Sequence, residues 1–513
     1  MKLQLYSIAT LTALFAMVFA LVAGYMLYAG TWSLMFAIVF AIIINILMLF
    51  INPYIMDMTN KWFFKTKYYT KAELEAQGYK FVPYLNNLCK KYNIKFPKIG
   101  IINDGGITAY TYGSRQNNAR IVLTRGIIDL LSEEELNSVI AHEFGHIKHR
   151  DFIVMTIAST LLQILYFIYI RFRFASTSKS SSRDEGKSAL IIFAIISFIF
   201  YIIGTYVVLF LSRVREYYAD KFSAENSSPN ALSNALVKIG YGIAHQKFDK
   251  KSIQIMESTR GMNLMDFKFS EGFSSKSDIR NAIKYDLFNP WATLLEFSST
   301  HPLIGKRVNA LKPMKLSIDK STKSKMWRNF FNDIFVSYMN FFVLIILGVL
   351  AYLYPVYRLY IGIAGIVLSI IIIGKIVNYK YPLKAVKKAT VSELASDLYA
   401  SPIKGKYVEL DGIAIGKGTP GFALSEDFML RDASGLIFIN YEHLIGIMNW
   451  FVGYKKINKL LDHHANVKGW YLRNRMPYIN AKYINNSIKS YIRTKEYFAI
   501  IKYFIVYVVI MLI

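Results

Sequence analysis

A single cysteine, Cys89, stands in 513 residues. That excludes any disulfide within the chain, a disulfide-stapled secreted scaffold and every zinc module built on several thiolates. Acid is scarce as well: 34 Asp plus Glu face 61 Lys plus Arg, a formal net charge of +27. Charge of either sign is absent from Leu3 to Met56, 54 residues split near the middle by Ala29, Gly30 and Thr31. Each half is enough helix to cross a bilayer core of about 30 Å. With 54% hydrophobic residues and a positive mean hydropathy, the chain is too apolar for a soluble basic protein. A removable signal peptide would have one short apolar stretch before a polar mature chain, whereas here a second span follows at once.

Further uncharged runs cover Phe152 to Ile170, Ser188 to Ser212, Ile334 to Tyr357 and Leu359 to Gly374. The stretch 496–513 is a candidate seventh segment, interrupted by Lys502. Basic loop residues stay on the cytoplasmic side. Lys61, Lys65, Lys67 and Lys71 follow the first hairpin, and Lys375, Lys380, Lys384, Lys387 and Lys388 follow the last. The polar stretches are therefore expected in the cytoplasm, and the excess charge serves orientation and anionic lipid instead of nucleic acid. One loop disagrees. Arg171, Arg173, Lys179, Arg183 and Lys187 lie between the third and fourth segments, so either that Ser-rich loop (176–188) is external despite its charge or those segments dip without spanning.

Residues 132–151 carry chemistry. Ser132 with Glu135 three positions on begins a helix with a capping box, and Leu136, Val139, Ile140 and Phe144 give it an apolar face. Four residues turn about 400°, so His142 and His146 project one turn apart toward a single ion, as zinc requires. Glu143, rotated by about 100°, faces water beside that ion, the place of a general base. A catalytic zinc wants a third protein ligand. The position six after His146 is Phe152, and no acidic residue occurs from Phe152 through Arg183. Asp184, Glu185, Glu216 and Asp220 remain. Glu216 and Asp220, at i and i+4, share a helix face, which lets Glu216 bind metal while Asp220 accepts a hydrogen bond from a ligand histidine. The alternative pairs both with Arg213 and Arg215 on a solvated face. His149, about 60° off the His146 direction, reads as solvated or at the membrane edge.

These residues resemble a known family. His142-Glu-Phe-Gly-His146-Ile-Lys-His-Arg-Asp151, then Arg215-Glu-Tyr-Tyr-Ala-Asp220 after a membrane hairpin, is similar to the M48 family of integral-membrane metallopeptidases, closest to its HtpX-like branch. Ser299-Thr-His301-Pro302 with Arg307 resembles the family's His-Pro motif. Thr108-Ala-Tyr-Thr-Tyr-Gly113 sits where the family has an edge strand beside the active site, with Thr108 in place of its Asn. The likeness covers about residues 1–315. CAAX prenyl proteases share the metal motifs but have more spans before the zinc helix. The resemblance implies one Zn2+ per chain on His142, His146 and Glu216, with Glu143 as base. It also implies His301 as oxyanion donor, Asp220 and Arg307 as supports, and Ala109, Tyr110 and Thr111 as the substrate strand.

Farther on, Tyr407–Ile415, Phe428–Arg431, Leu436–Tyr441, Val467–Leu472 and Tyr478–Tyr483 are β-like runs, with a hairpin loop at Asp432–Gly435. Five short strands suit a small barrel, OB-like by analogy. Tyr407, Phe438, Trp470, Tyr471 and Arg473 would serve a nucleic-acid groove, but docking at the membrane face is favoured. His463-His464 reads as a loop pair.

The expected architecture is an α-helical polytopic membrane protein with a mainly α zincin (gluzincin) domain and a C-terminal β-barrel-like domain. Its parts are a transmembrane hairpin over 1–56 and a catalytic part over 57–151, then a spanning or dipping hairpin over 152–211. A second catalytic part over 212–333, a hairpin over 334–377, a cytoplasmic β-rich domain over 378–495 and the seventh segment follow. The expected function is zinc-dependent cleavage of membrane or unfolded polypeptides on the cytoplasmic side of the cell membrane, in protein quality control. The rivals are a CAAX-type or site-2-type protease and a non-catalytic zinc-binding scaffold or sensor. Glu133, Glu134, Glu135 and Asn137 just before His142 argue against a site-2-type helix inside the bilayer, and Glu143 argues against a purely structural metal.

Overall fold

The computed structural model describes residues 2–29, 33–177, 184–241, 276–383 and 385–512, in two compact units. Part of the Ser-rich loop, including Lys179 and Arg183, lies outside the described residues.

The first unit comprises residues 1–102, 108–232 and 296–302. It begins with helices α1 (Lys2–Ala29) and α2 (Ser33–Phe63). The second outruns the sequence boundary at 56: Asp57 and Asn60, polar enough to suggest a new domain, are the last turns of α2 and are buried. Strand β1 (Lys67–Tyr69) and helices α3 (Lys71–Ala76) and α4 (Phe81–Tyr92) follow. A four-stranded sheet is completed by β2 (Lys98–Ile102), β3 (Ala109–Gly113) and β4 (Ala119–Thr124), in the order β1-β2-β4-β3. β4 runs parallel to β2 and antiparallel to β3, so β3 is the edge. This sheet was not read from the sequence beyond its edge strand. β4 is buried at every residue, so it lacks the alternation that marks a half-buried strand.

Helix α5 (Arg125–Leu130) leads to α6 (Glu133–His149), whose start carries both hydrogen bonds of the expected Ser132–Glu135 capping box. It ends at Arg150, which takes a left-handed conformation (φ 58°, ψ 40°) and so turns the chain at once into α7 (Asp151–Thr177). Helix α8 (Asp184–Asn226) is continuous. The expected fourth span and the helix bearing Glu216 are thus one element, with no proline to separate them. Helices α1, α2, α7 and α8 all have the length and composition of membrane spans. Val18, Leu21, Ile164, Leu165 and Phe172 pack between them.

The second unit comprises residues 103–107, 233–295 and 303–513. Helix α9 (Pro229–Tyr241) runs into it from the first unit, and α11 (Pro290–Phe297) runs out. It also holds α10 (Lys276–Phe288), α12 (Ile304–Leu311), and a hairpin of spanning length, α13 (Lys320–Leu353) and α14 (Arg358–Lys380). Two-residue β5 (Lys387–Lys388) and short α15 (Val391–Ala395) precede the barrel.

All five expected strands are present: β6 (Lys406–Lys417), β7 (Phe428–Arg431), β8 (Leu436–Asn440), β9 (His464–Arg473) and β10 (Pro477–Ile484). They close into a ring, β6-β7-β8-β10-β9 and back to β6, in which only the β8–β10 pair is parallel. Val408, Leu430, Ile439, Val467 and Ile479 fill it. The Asp432 carboxylate accepts from the Ser434 and Gly435 amides and so shapes the expected β7–β8 turn. Trp470, Tyr471 and Arg473 are buried, which removes them from the less favoured alternative of an open groove. Arg473 lies 3.2 Å from the Asp286 carboxylate and 4.2 Å over the Tyr285 ring, fastening β9 to α10. Helix α16 (Ile447–Lys455) is inserted between β8 and β9, and after the barrel come β11 (Ile488–Lys489) and helices α17 (Ile492–Glu496) and α18 (Ala499–Leu512). At 14 residues, α18 is shorter than a full span.

Burial pushes the Asp427 carboxyl up to about 7, against the pull of the Tyr441 amide that bonds it at 2.8 Å, with the charges of Glu426 and Glu442 adding to the rise. The folded state therefore resists an ionisation that the unfolded chain, near 3.8, undergoes freely. Stability falls as pH rises from about 4 to 7 and stays lowered above that. Asp427→Asn, which keeps the acceptor oxygen, is expected to raise the melting temperature in detergent at pH 8, by a stabilisation of at most about 4 kcal/mol. At pH 4 the gain should vanish; equal gains at both values would refute the raised pKa.

Candidate metal centre

Helix α6 brings His142, Glu143 and His146 to one place, and α8 brings Glu216 and Asp220. Their approach depends on Gly145: a Cβ there would stand 3.3 Å from the Ala219 Cα and from the Phe222 ring. The Ser223 hydroxyl donates to the Ser138 carbonyl at 2.6 Å, tying the same two helices.

The outcome is a triangle. His142 Nε2 and His146 Nε2 are 3.2 Å apart, and each lies 3.6 Å from a different carboxylate oxygen of Glu216. Ligand atoms around a tetrahedral zinc at bonds of about 2.0–2.1 Å are separated by roughly 3.3–3.4 Å, so the donor set fits a small divalent ion. The Nε2 atoms face inward because each ring is held from behind. His142 Nδ1 lies 3.0 Å from Asp220 and His146 Nδ1 lies 2.6 Å from Asp151. Burial is the largest influence and works against a charged His146, but the Asp151 hydrogen bond and the charges of Glu216 and Asp151 together outweigh it and raise its pKa. Among the described residues this trio is the one cluster of three metal-ligating side chains with such spacing.

Asp220 stands behind His142, one helical turn from Glu216 on α8. Asp151 was not singled out from sequence, although it closes the quoted motif. It reaches back five residues only because Arg150 turns left-handed, a backbone state that no residue pattern announces. Asp151 is in turn paired with Arg215, which also donates to the Ser7 hydroxyl at 2.8 Å and the His149 carbonyl at 2.9 Å. Arg213 donates to the Glu296 and Ser299 carbonyls at 3.0 and 2.8 Å. Neither arginine simply neutralises Glu216 on a solvated face. His149, instead of being solvated, packs edge-on to Tyr218 and Phe222, and burial lowers its pKa. Asp151→Ala should weaken metal retention by about 10- to 100-fold, the usual cost of losing a carboxylate behind a ligand histidine. Chelator competition reads this directly, and unchanged retention would remove Asp151 from the site.

Glu143 is buried, and its Oε2 accepts from the Thr111 hydroxyl at 2.7 Å. Thr111 sits at the centre of edge strand β3. Its neighbours point the other way, as strand geometry demands: Tyr110 donates to Asn60 at 3.1 Å and Tyr112 to Asp57 at 2.7 Å. Asp57 also binds the Arg120 guanidinium at 3.0 Å. The end of membrane helix α2 thereby fixes the strand that faces Glu143. His301 stands with Nδ1 3.0 Å from Glu216 Oε2 and is 64% exposed, open to an incoming molecule. Arg307 lies buried on α12 in the second unit.

The model of "Peptidase family M48" matches residues 81–315. A protease HtpX homolog of Methanothermobacter thermautotrophicus is 34% identical over 241 residues, 46% of this chain and 86% of that protein. The homolog of Picrophilus torridus is 28% identical over 59% of this chain and 94% of its own length. A crystal structure of S. mikatae Ste24p aligns at 20% identity and a TM-score of 0.35, over 61% of this chain and 67% of that one. With HtpX-type proteases matched along most of their length across the residues that build this site, the chain belongs to peptidase family M48, as a membrane-embedded, HtpX-like member.

Proposed function

We propose that this protein is a zinc-dependent endopeptidase that cuts membrane or unfolded polypeptides on the cytoplasmic side of the cell membrane, in protein quality control. The observation that carries the reading is the inward-facing triangle of His142, His146 and Glu216 with the Glu143 carboxylate beside it. The lysines that flank α2 and α14 support a cytoplasmic site, and the ring order of the barrel, with its one parallel pair and a helix between β8 and β9, supports an OB-like module.

When bound, a divalent ion supplies Lewis acidity and a more acidic water. The remaining work belongs to the chain. The free edge of β3 pairs with an extended substrate backbone through Ala109, Tyr110 and Thr111. Glu143, held by Thr111, removes the proton of the attacking water and delivers it to the departing amine nitrogen. His301, exposed beside Glu216, donates to the oxygen of the scissile carbonyl as negative charge develops there. Glu143 disfavours a scaffold role, since a structural metal needs no base.

The test is metal content and cleavage of an unfolded membrane protein by the purified chain in detergent. One zinc per chain with cleavage is expected. A chain that holds zinc but never cuts would replace the peptidase by a sensor or scaffold.

A further inference from the structure

Helix α16 presents an apolar face outward. Ile447, Trp450, Phe451 and Tyr454, at i, i+3, i+4 and i+7, are 69%, 54%, 48% and 59% exposed, and Ile445 just before them is 59% exposed. The opposite side is used: Val452 and Gly453 are buried, and the Gly453 carbonyl accepts from Lys417 Nζ at 2.9 Å. Lys455, Lys456 and Lys459 follow on exposed positions, with Lys455 Nζ 4.4 Å over the Phe451 ring.

The position of this face within its unit says what covers it. Glu442, just upstream, pairs with Lys495, and its carbonyl accepts the Tyr491 amide at 2.7 Å. His443 stands edge-on to Tyr491 at 5.2 Å. The neighbouring Glu496 is 3.1 Å from Lys380, the last residue of spanning helix α14. From there α18 runs antiparallel along α14, with Tyr507 against Gly365 and Met511 against Gly362. The chain entering α16 is thus pinned at the level where α14 leaves the membrane.

We propose that α16 lies in the headgroup layer of the bilayer, its Ile447, Trp450, Phe451 and Tyr454 face sunk toward the acyl chains and its lysines against anionic phosphates. Aromatic and aliphatic side chains on one face and lysines beside them are the composition of an interfacial helix. The barrel is then held flat on the membrane by its own surface, in addition to the spanning hairpin that precedes it.

The full chain in liposomes, spin-labelled at single cysteines stepped from Ile447→Cys to Lys456→Cys, tests this. Cys89 is buried with its thiol pushed up to about 11, so unmodified protein is the labelling control. Oxygen, which partitions into lipid, and a water-soluble nickel chelate should relax the labels in opposite phase with a period of 3.6 residues. The oxygen-to-nickel ratio should be severalfold higher at positions 447, 450, 451 and 454 than at 456. Anionic lipid should deepen the labels relative to phosphatidylcholine alone, and Gln at positions 455, 456 and 459 should abolish that difference. Equal relaxation by both reagents at every position would overturn the proposal. So would protection that appears only after adding an unfolded polypeptide, which makes the face a substrate dock, or label–label broadening, which makes it an interface between copies.

Discussion

Glu143→Gln is expected to retain its metal and to lose cleavage by about 10²- to 10⁴-fold, the contribution of a positioned general base. The side chain leaves α6 about 100° from the histidine directions, so its removal takes no ligand from the triangle. Gln has the same shape, and its amide can still meet the Thr111 hydroxyl that holds Glu143 at 2.7 Å. What it cannot do is take a proton at neutral pH. The measurement is zinc per chain and turnover of one unfolded substrate, wild type beside variant. Metal loss on this change would make Glu143 a ligand, and retained turnover would move the base elsewhere. Thr111→Val separates the two roles further. It frees the carboxylate without removing it, so turnover should fall less than in Glu143→Gln.

Local signals carried most of the site. The capped helix, the two histidines one turn apart and the Glu216–Asp220 spacing are short-range facts of helical geometry, and each recurs in the structure at its expected place. The barrel strands were legible for a similar reason: alternation and turn residues mark them one at a time. What stayed hidden depends on long-range packing. β4 is buried at every residue, Arg120 and Thr124 included, so it lacks the alternation that would mark it as a strand. Asp57 and Asn60 look like the opening of a polar domain, yet they are the buried end of α2 and hold Tyr110 and Tyr112 of the edge strand. Trp470, Tyr471 and Arg473 have the composition of a binding groove, and only the folded chain shows them buried: Tyr471 in the barrel core, Trp470 outside it against Tyr381 and Ile492, and Arg473 against Asp286 of α10. Asp151 was written in the sequence beside the motif, but its reach to His146 rests on the left-handed Arg150.

Glu216→Ala should lower metal retention by more than about 100-fold, beyond the range for the carboxylates that stand behind the histidines. Two neutral imidazoles bring no charge to a divalent ion. Glu216 supplies the negative charge of the trio and puts one oxygen 3.6 Å from each Nε2. The rival carboxylates fail on distance. Asp184 and Glu185 start the same continuous α8, about 31 residues before Glu216, or about 46 Å along the helix axis. Replacing both by Ala should therefore leave zinc content unchanged, while Glu216→Ala empties the site under a chelator that wild type withstands. The reverse order would give the third ligand to the far end of α8 and dismantle the site described here. Glu216→Gln sharpens the test, because it preserves volume and the contact to His301 but removes the charge. If charge is what holds the ion, Gln should resemble Ala in metal retention; if shape suffices, it should resemble wild type.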